Sequence, residues 1–93
     1  LSNHRLFIRL PSYSYIVLIS SSQVYTVVKK TGNDEKIMQS FTDRNPHFRT
    51  ELTVRFDILG NRIQLELNRA PVCQLPCQLS QGCKQFEVEY EFN

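Results

Sequence analysis

The run TELTVRFDILGNRIQLELN, Thr50 to Asn68, decides the fold. Leu52, Val54, Phe56 and Ile58 alternate with Thr53, Arg55 and Asp57, the period of two that marks a half-buried strand. Gly60-Asn61 then offers a two-residue turn, because glycine reaches positive φ without a Cβ clash. The return run alternates again, with Ile63, Leu65 and Leu67 inward and Gln64 and Glu66 outward. With that turn at the tip, Phe56 faces Leu65, Val54 faces Leu67, and Arg55 faces Glu66. Apolar then meets apolar on one face and opposite charges meet on the other. The pattern predicts a β-hairpin closed by Gly60, with Val54, Phe56, Ile58, Ile63, Leu65 and Leu67 as its core.

The same period recurs on either side. KQFEVEYEFN, Lys84 to Asn93, puts Phe86, Val88, Tyr90 and Phe92 on one face and Glu87, Glu89 and Glu91 on the other. Three carboxylates in a row can hold calcium or a basic partner, but such a row more often keeps an edge strand soluble. QVYTVVKK, Gln23 to Lys30, is a β-branched strand ended by TGND. DEKIMQSF, Asp34 to Phe41, spaces Ile37, Met38 and Phe41 as a short helix would, capped by Asn33 or Asp34. Asn45-Pro46 breaks whatever precedes it. The expected class is mainly β: an antiparallel, sandwich-like sheet with one short helical segment. Residues 1–22 are set apart, and 23–93 are expected to form a single antiparallel β domain.

A chain of 93 residues is one domain at most, or part of one, and its core is thin enough for a staple to help. Hydrophobic residues at 41% and charged ones at 22% fit a folded domain rather than disorder. A net charge of +2 is too small to argue for nucleic acid. Its distribution says more. Residues 1–33 carry Arg5, Arg9, Lys29 and Lys30 and no acid, whereas nine acids face seven bases from Asp34 onward. Arg5 and Arg9, the run YSYIVLI and then Ser20 to Ser22 trace the outline of a secretory signal. The same residues fit two buried strands, RLFIRL and YSYIVLI, or an acid-free mitochondrial transit segment. No stretch approaches the ~20 apolar residues that a membrane-spanning helix needs.

Catalytic chemistry finds no foothold. The only histidines, His4 and His47, are too far apart for the zinc-protease helix motif, and the three glycines sit in turns rather than in a phosphate loop. Asp43 and Asp57 lack a partner acid at a useful spacing. The expectation is a non-enzymatic protein with no cofactor and no metal. The three cysteines fall within CQLPCQLSQGC, as Cys73-x3-Cys77-x5-Cys83. With His47 they could make a four-ligand zinc set, but the second knuckle usual in structural sites is missing. In an oxidising compartment one disulfide among Cys73, Cys77 and Cys83 fits better, stabilising by somewhat under ~3 kcal/mol in the chain-entropy model. The odd sulfur would pair with protein outside this chain, which suits a domain that is incomplete here. The stretch as a whole is expected to be a constrained loop between hairpin and final strand.

VYTVVKK, LTVRFDILGNRIQLELNRA and FEVEY, taken in order, resemble the first part of the propeptide of reprolysin-type metalloproteases, the ADAM and ADAMTS group. Tyr25, Val27 and Val28, the Gly60 turn, Leu65, Leu67 and Asn68, and Phe86 to Tyr90 carry the likeness. It implies a secreted segment that assists folding and keeps a protease latent by packing against it, with a protease domain as partner. The cysteine stretch is an insertion relative to that family. The family's zinc-capping thiol lies further along, so none of the three cysteines takes that role. The tail VCQLPCQLSQGCKQFEVEYEFN is similar to an early segment of ML-type lipid-recognition domains, through Pro76, Cys77, Leu79 and Gly82. That likeness implies a lipid-binding fragment, and only there is lipid a ligand. A protein-interaction module with a disulfide loop is the third reading.

Overall fold

The computed structural model describes residues 2–20, 22–44, 51–57, 61–77 and 86–92. The chain is mainly β: β1 Ser2–Arg9, β2 Ser14–Ser20, β3 Val24–Thr31, β4 Asp34–Thr42, β5 Leu52–Asp57, β6 Arg62–Leu67, β7 Ala70–Pro76 and β8 Glu87–Phe92. They form two antiparallel sheets, in two compact units: Leu1–Asp43 with Gln85–Asn93, and Arg44–Lys84.

The first unit holds a five-stranded sheet in the order β4-β3-β2-β1-β8. Four strands follow one another by hairpins, and the last returns to lie beside the first, as in a Greek key. RLFIRL and YSYIVLI are thus β1 and β2, which occupy inner positions of the sheet. Their register sets Leu6 against Val17 and Ile8 against Tyr15, and Val17 in turn against Val27. All five side chains are buried. Burial at every second position on three adjacent strands is what makes this row the unit's core.

No helix occurs among the described residues, and the helix expected over Asp34–Phe41 is instead strand β4. Two local features explain the difference. Gly32-Asn33 is not a helix cap but a two-residue hairpin turn, with Thr31 opposite Asp34 and Gly32 at φ +59°. A bulge then opposes Val27 to Gln39 and Val28 to Ile37, leaving Met38 as the extra residue. Ile37 and Phe41 therefore stand opposite Val28 and Tyr25, on different faces, and the broken alternation imitates helical spacing.

The second unit is a three-stranded sheet, β5-β6-β7. The predicted hairpin is present, and Ile63, Leu65 and Leu67 are buried while Val54 and Phe56 are half-buried. Its register differs from expectation by two residues. Val54 faces Leu65, Phe56 faces Ile63, and Asp57 faces Arg62, the last described pair before the turn. A slip of two keeps each described side chain on its expected face, so Ile63, Leu65 and Leu67 still turn to the buried side. Asn61, at the loop's end, has φ +53°; Ile58 and Gly60 lie outside the described residues. Arg55 still meets Glu66, as a diagonal pair at 3.3 Å.

The third strand is a departure from the expected loop. Asn68 and Arg69, both at positive φ, turn the chain so that Leu67 pairs with Ala70 and β7 runs back along β6. Pro71 and Pro76 argue against a strand within a sheet, but β7 is an edge, where a missing N–H is tolerated. A bulge at Val72 sits between the Leu65–Cys73 and Glu66–Pro71 pairs.

Candidate functional site

The cysteine stretch is the first place to look for chemistry. Cys73 lies on β7 opposite Leu65, and Cys77 follows the strand with its N–H donating to the Asn61 carbonyl at 2.8 Å. Both are buried, with Leu75 between them on the same face. Four residues of extended chain separate their Cα atoms by about 13 Å, nearly twice the ~7 Å that a disulfide can span. A bridge within the stretch would therefore have to use Cys83, which lies outside the described residues, as does His47. Burial pushes the Cys73 thiol above its ordinary value of 9.0, the reverse of what a nucleophile or a metal ligand needs. No group of three metal-ligating side chains occurs among the described residues.

The hairpin residues come together as a core, not as a site. Ile63 and Leu65 are wholly buried, and on the opposite face Glu66, expected to point outward, is itself buried beside Arg55 and Gln64. Glu66 accepts from Gln64 Nε2 at 2.6 Å and from Arg55 at 3.3 Å.

The remaining candidate is β8. Its register on β1 places Glu91, Tyr90, Glu89, Val88 and Glu87 opposite Arg5, Leu6, Phe7, Ile8 and Arg9. On the acid face, Arg5 pairs with Glu91, and Arg9 Nη1 donates to Glu89 at 2.5 Å. Both guanidinium groups also lie over the Phe7 ring, Arg9 at 4.8 Å from its centroid and Arg5 at 5.8 Å. The two arginines are thus fixed between an aromatic plane and a carboxylate row. Glu87, third in that row, has no ion-pair partner among the described residues.

The other face of β8 carries the larger signal. Val88, Tyr90 and Phe92 are 47%, 57% and 63% exposed, although Leu6 and Ile8 beside them on β1 are buried. With Phe86, they make up four of the five large exposed apolar side chains among the described residues. The upper end is ordered by His4, whose Nδ1 shares a hydrogen bond with the Tyr90 hydroxyl and whose ring lies 4.4 Å from that of Phe92. At the lower end an open cavity of about 380 Å³ is lined by Arg9, Leu10, Pro11, Phe86 and Glu87. A sheet edge with a continuous apolar row and an acidic reverse face can bind an extended or apolar protein surface; it holds no acid–base or nucleophilic pair.

The sequence pattern assigns β8 its two faces correctly. It does not show that the apolar face is the exposed one, since that depends on β8 being the terminal strand of its sheet. The cue was present in Arg5 and Arg9, whose spacing of four matches the glutamate row. No family model, no curated protein and no solved structure matches the chain.

Proposed function

We propose that this chain is a secreted, non-catalytic β module that works by packing against a protein partner, in the manner of a metalloprotease propeptide segment. One observation carries the reading: the exposed apolar row of Val88, Tyr90 and Phe92 on a terminal strand. Apolar rows of this kind, rimmed by charge, mark interaction surfaces. The protease partner rests on the resemblance of VYTVVKK, the central hairpin and FEVEY to such propeptides. The mechanism is surface burial, which blocks access or supports folding without bond chemistry. A secreted chain would also carry one disulfide, closing on Cys83 from Cys73 or Cys77.

The test is calorimetric titration of the chain into purified reprolysin-type catalytic domains, with peptide hydrolysis followed in parallel. The expected outcome is binding and slowed hydrolysis, both lost in a Val88→Lys/Tyr90→Lys variant. Equal binding by that variant overturns the surface, and no binding by the native chain overturns the protease partner. Thiol counting on the oxidised, unfolded monomer is expected to find one free sulfhydryl, and three would remove the disulfide.

A further inference from the structure

We infer that β8 is the docking edge for an extended partner segment that alternates basic and apolar residues and joins the first sheet as a sixth strand. This rests on the protein-packing reading above and names the chemistry of what packs there. A terminal strand has a second edge whose backbone N–H and C=O groups no described strand of this sheet takes up. Side chains project from the sheet faces, so a strand on either edge of β8 meets the same two rows.

The chain itself shows what those rows accept. On the inner edge sits β1, which sets Arg5 and Arg9 opposite Glu91 and Glu87, and Leu6 and Ile8 opposite Tyr90 and Val88. Among the described residues two arginines answer three glutamates, and the carboxylate they leave over is Glu87, beside the cavity that extends the row past the start of β8. The charge that the outer edge still seeks is therefore positive, and its alternate positions are apolar. A second copy fits poorly: β8 against β8 in antiparallel register sets glutamate against glutamate. The other terminal strand, β4, begins with Asp34 and Glu35 and offers no basic row.

The probe is a synthetic peptide that copies Asn3–Leu10, NHRLFIRL, and its control carries glutamate at both arginine positions. Amide hydrogen exchange on the full chain is read with each. Successive strand amides point to opposite edges, so alternate amides between Glu87 and Phe92 are expected to gain protection with the native peptide. Salt should weaken the binding, and the control should bind about tenfold less well, since like charges opposite one another destabilise a strand pair. Val88→Lys/Tyr90→Lys, at exposed positions, should abolish it while the rest of the exchange pattern stays native. Equal binding by the control overturns the proposal. So does protection that appears on β4, loss of protection in β1 (which would mean displacement rather than addition), or dimerisation of the chain alone through β8. If the chain binds a catalytic domain but ignores the peptide, strand addition fails and the packing function stands. If the lysine variant still binds the catalytic domain, the surface reading fails instead.

Discussion

Strands β1 and β8 lie side by side, alternate with the same period and share a register, yet they sit in opposite environments. Ile8 is 0% exposed and Val88, directly opposite, is 47% exposed. The alternation is a property of each strand alone, fixed by the pleat. Burial also depends on what lies on either edge, and among the described strands β1 is flanked by β2 and β8 whereas β8 has β1 only. The smaller sheet repeats the contrast: Leu65 on the middle strand is 0% exposed, and Val54, opposite it on the edge strand β5, is half-buried. Alternation therefore tells which way a residue points, and strand order tells how far from water it ends up.

The strongest test of this contrast places one charge at both positions. Ile8→Asp puts a carboxylate where no water reaches, and a destabilisation of roughly 3 kcal/mol or more follows, enough to unfold a small domain. Val88→Asp leaves its carboxylate in water and is expected to cost within about 1 kcal/mol. Urea titration followed by circular dichroism reads both, and comparable losses would show that β8 is as internal as β1. Leu65→Asp against Val54→Asp repeats the comparison in the three-stranded sheet. The first should unfold that unit, and the second should cost roughly half as much, because its side chain keeps partial contact with solvent.

A different edge strand offers a way to break the pattern. On β7, Cys73, Leu75 and Cys77 are buried although β7 ends its sheet. The Cys73 thiol records this, since burial disfavours the thiolate and raises the pKa from 9.0. A folded-state pKa above the unfolded one means that the native state holds the proton more tightly. The resulting stability is complete below the ordinary value and is lost as pH rises above it through the raised one. Native protein should therefore lose stability on going from neutral pH to above pH 9 more steeply than a Cys73→Ala variant. Parallel alkaline profiles for the two would mean that the β7 edge is open to water like that of β8.

The residues themselves explain how much of this the sequence discloses. Faces are legible wherever the period of two runs unbroken, as in Leu52–Asp57, Arg62–Leu67 and Glu87–Phe92. Register is less so, because turn geometry sets it, and a slip of two residues preserves parity. Strand β4 reads as helix because the Met38 bulge shifts the alternation by one position. Strand β7 is hidden by Pro71 and Pro76, which only an edge tolerates, and edges are decided by pairing between distant segments. The candidate surface is half-legible for the same reason. The glutamate row announces an edge strand, while the anchoring of Glu89 and Glu91 by Arg9 and Arg5 depends on β8 returning to β1 from 80 and 86 residues along the chain.

That anchoring also bears on how the edge is held in place. If charge fixed β8 to the sheet, the Arg5–Glu91 pair should contribute a large coupling energy, but its side chains remain 40% and 36% exposed. Water and salt screen such a pair, and the backbone ladder to β1 does not depend on it. A double-mutant cycle with Arg5→Ala and Glu91→Ala should therefore yield about 0.5 kcal/mol, shrinking as salt is added. A coupling of several kcal/mol that resists salt would mean the pair is shielded and β8 is an inner strand in solution. The smaller value keeps the acid row nearly as accessible to a new cation as to Arg5, which is the condition a strand arriving on the outer edge requires.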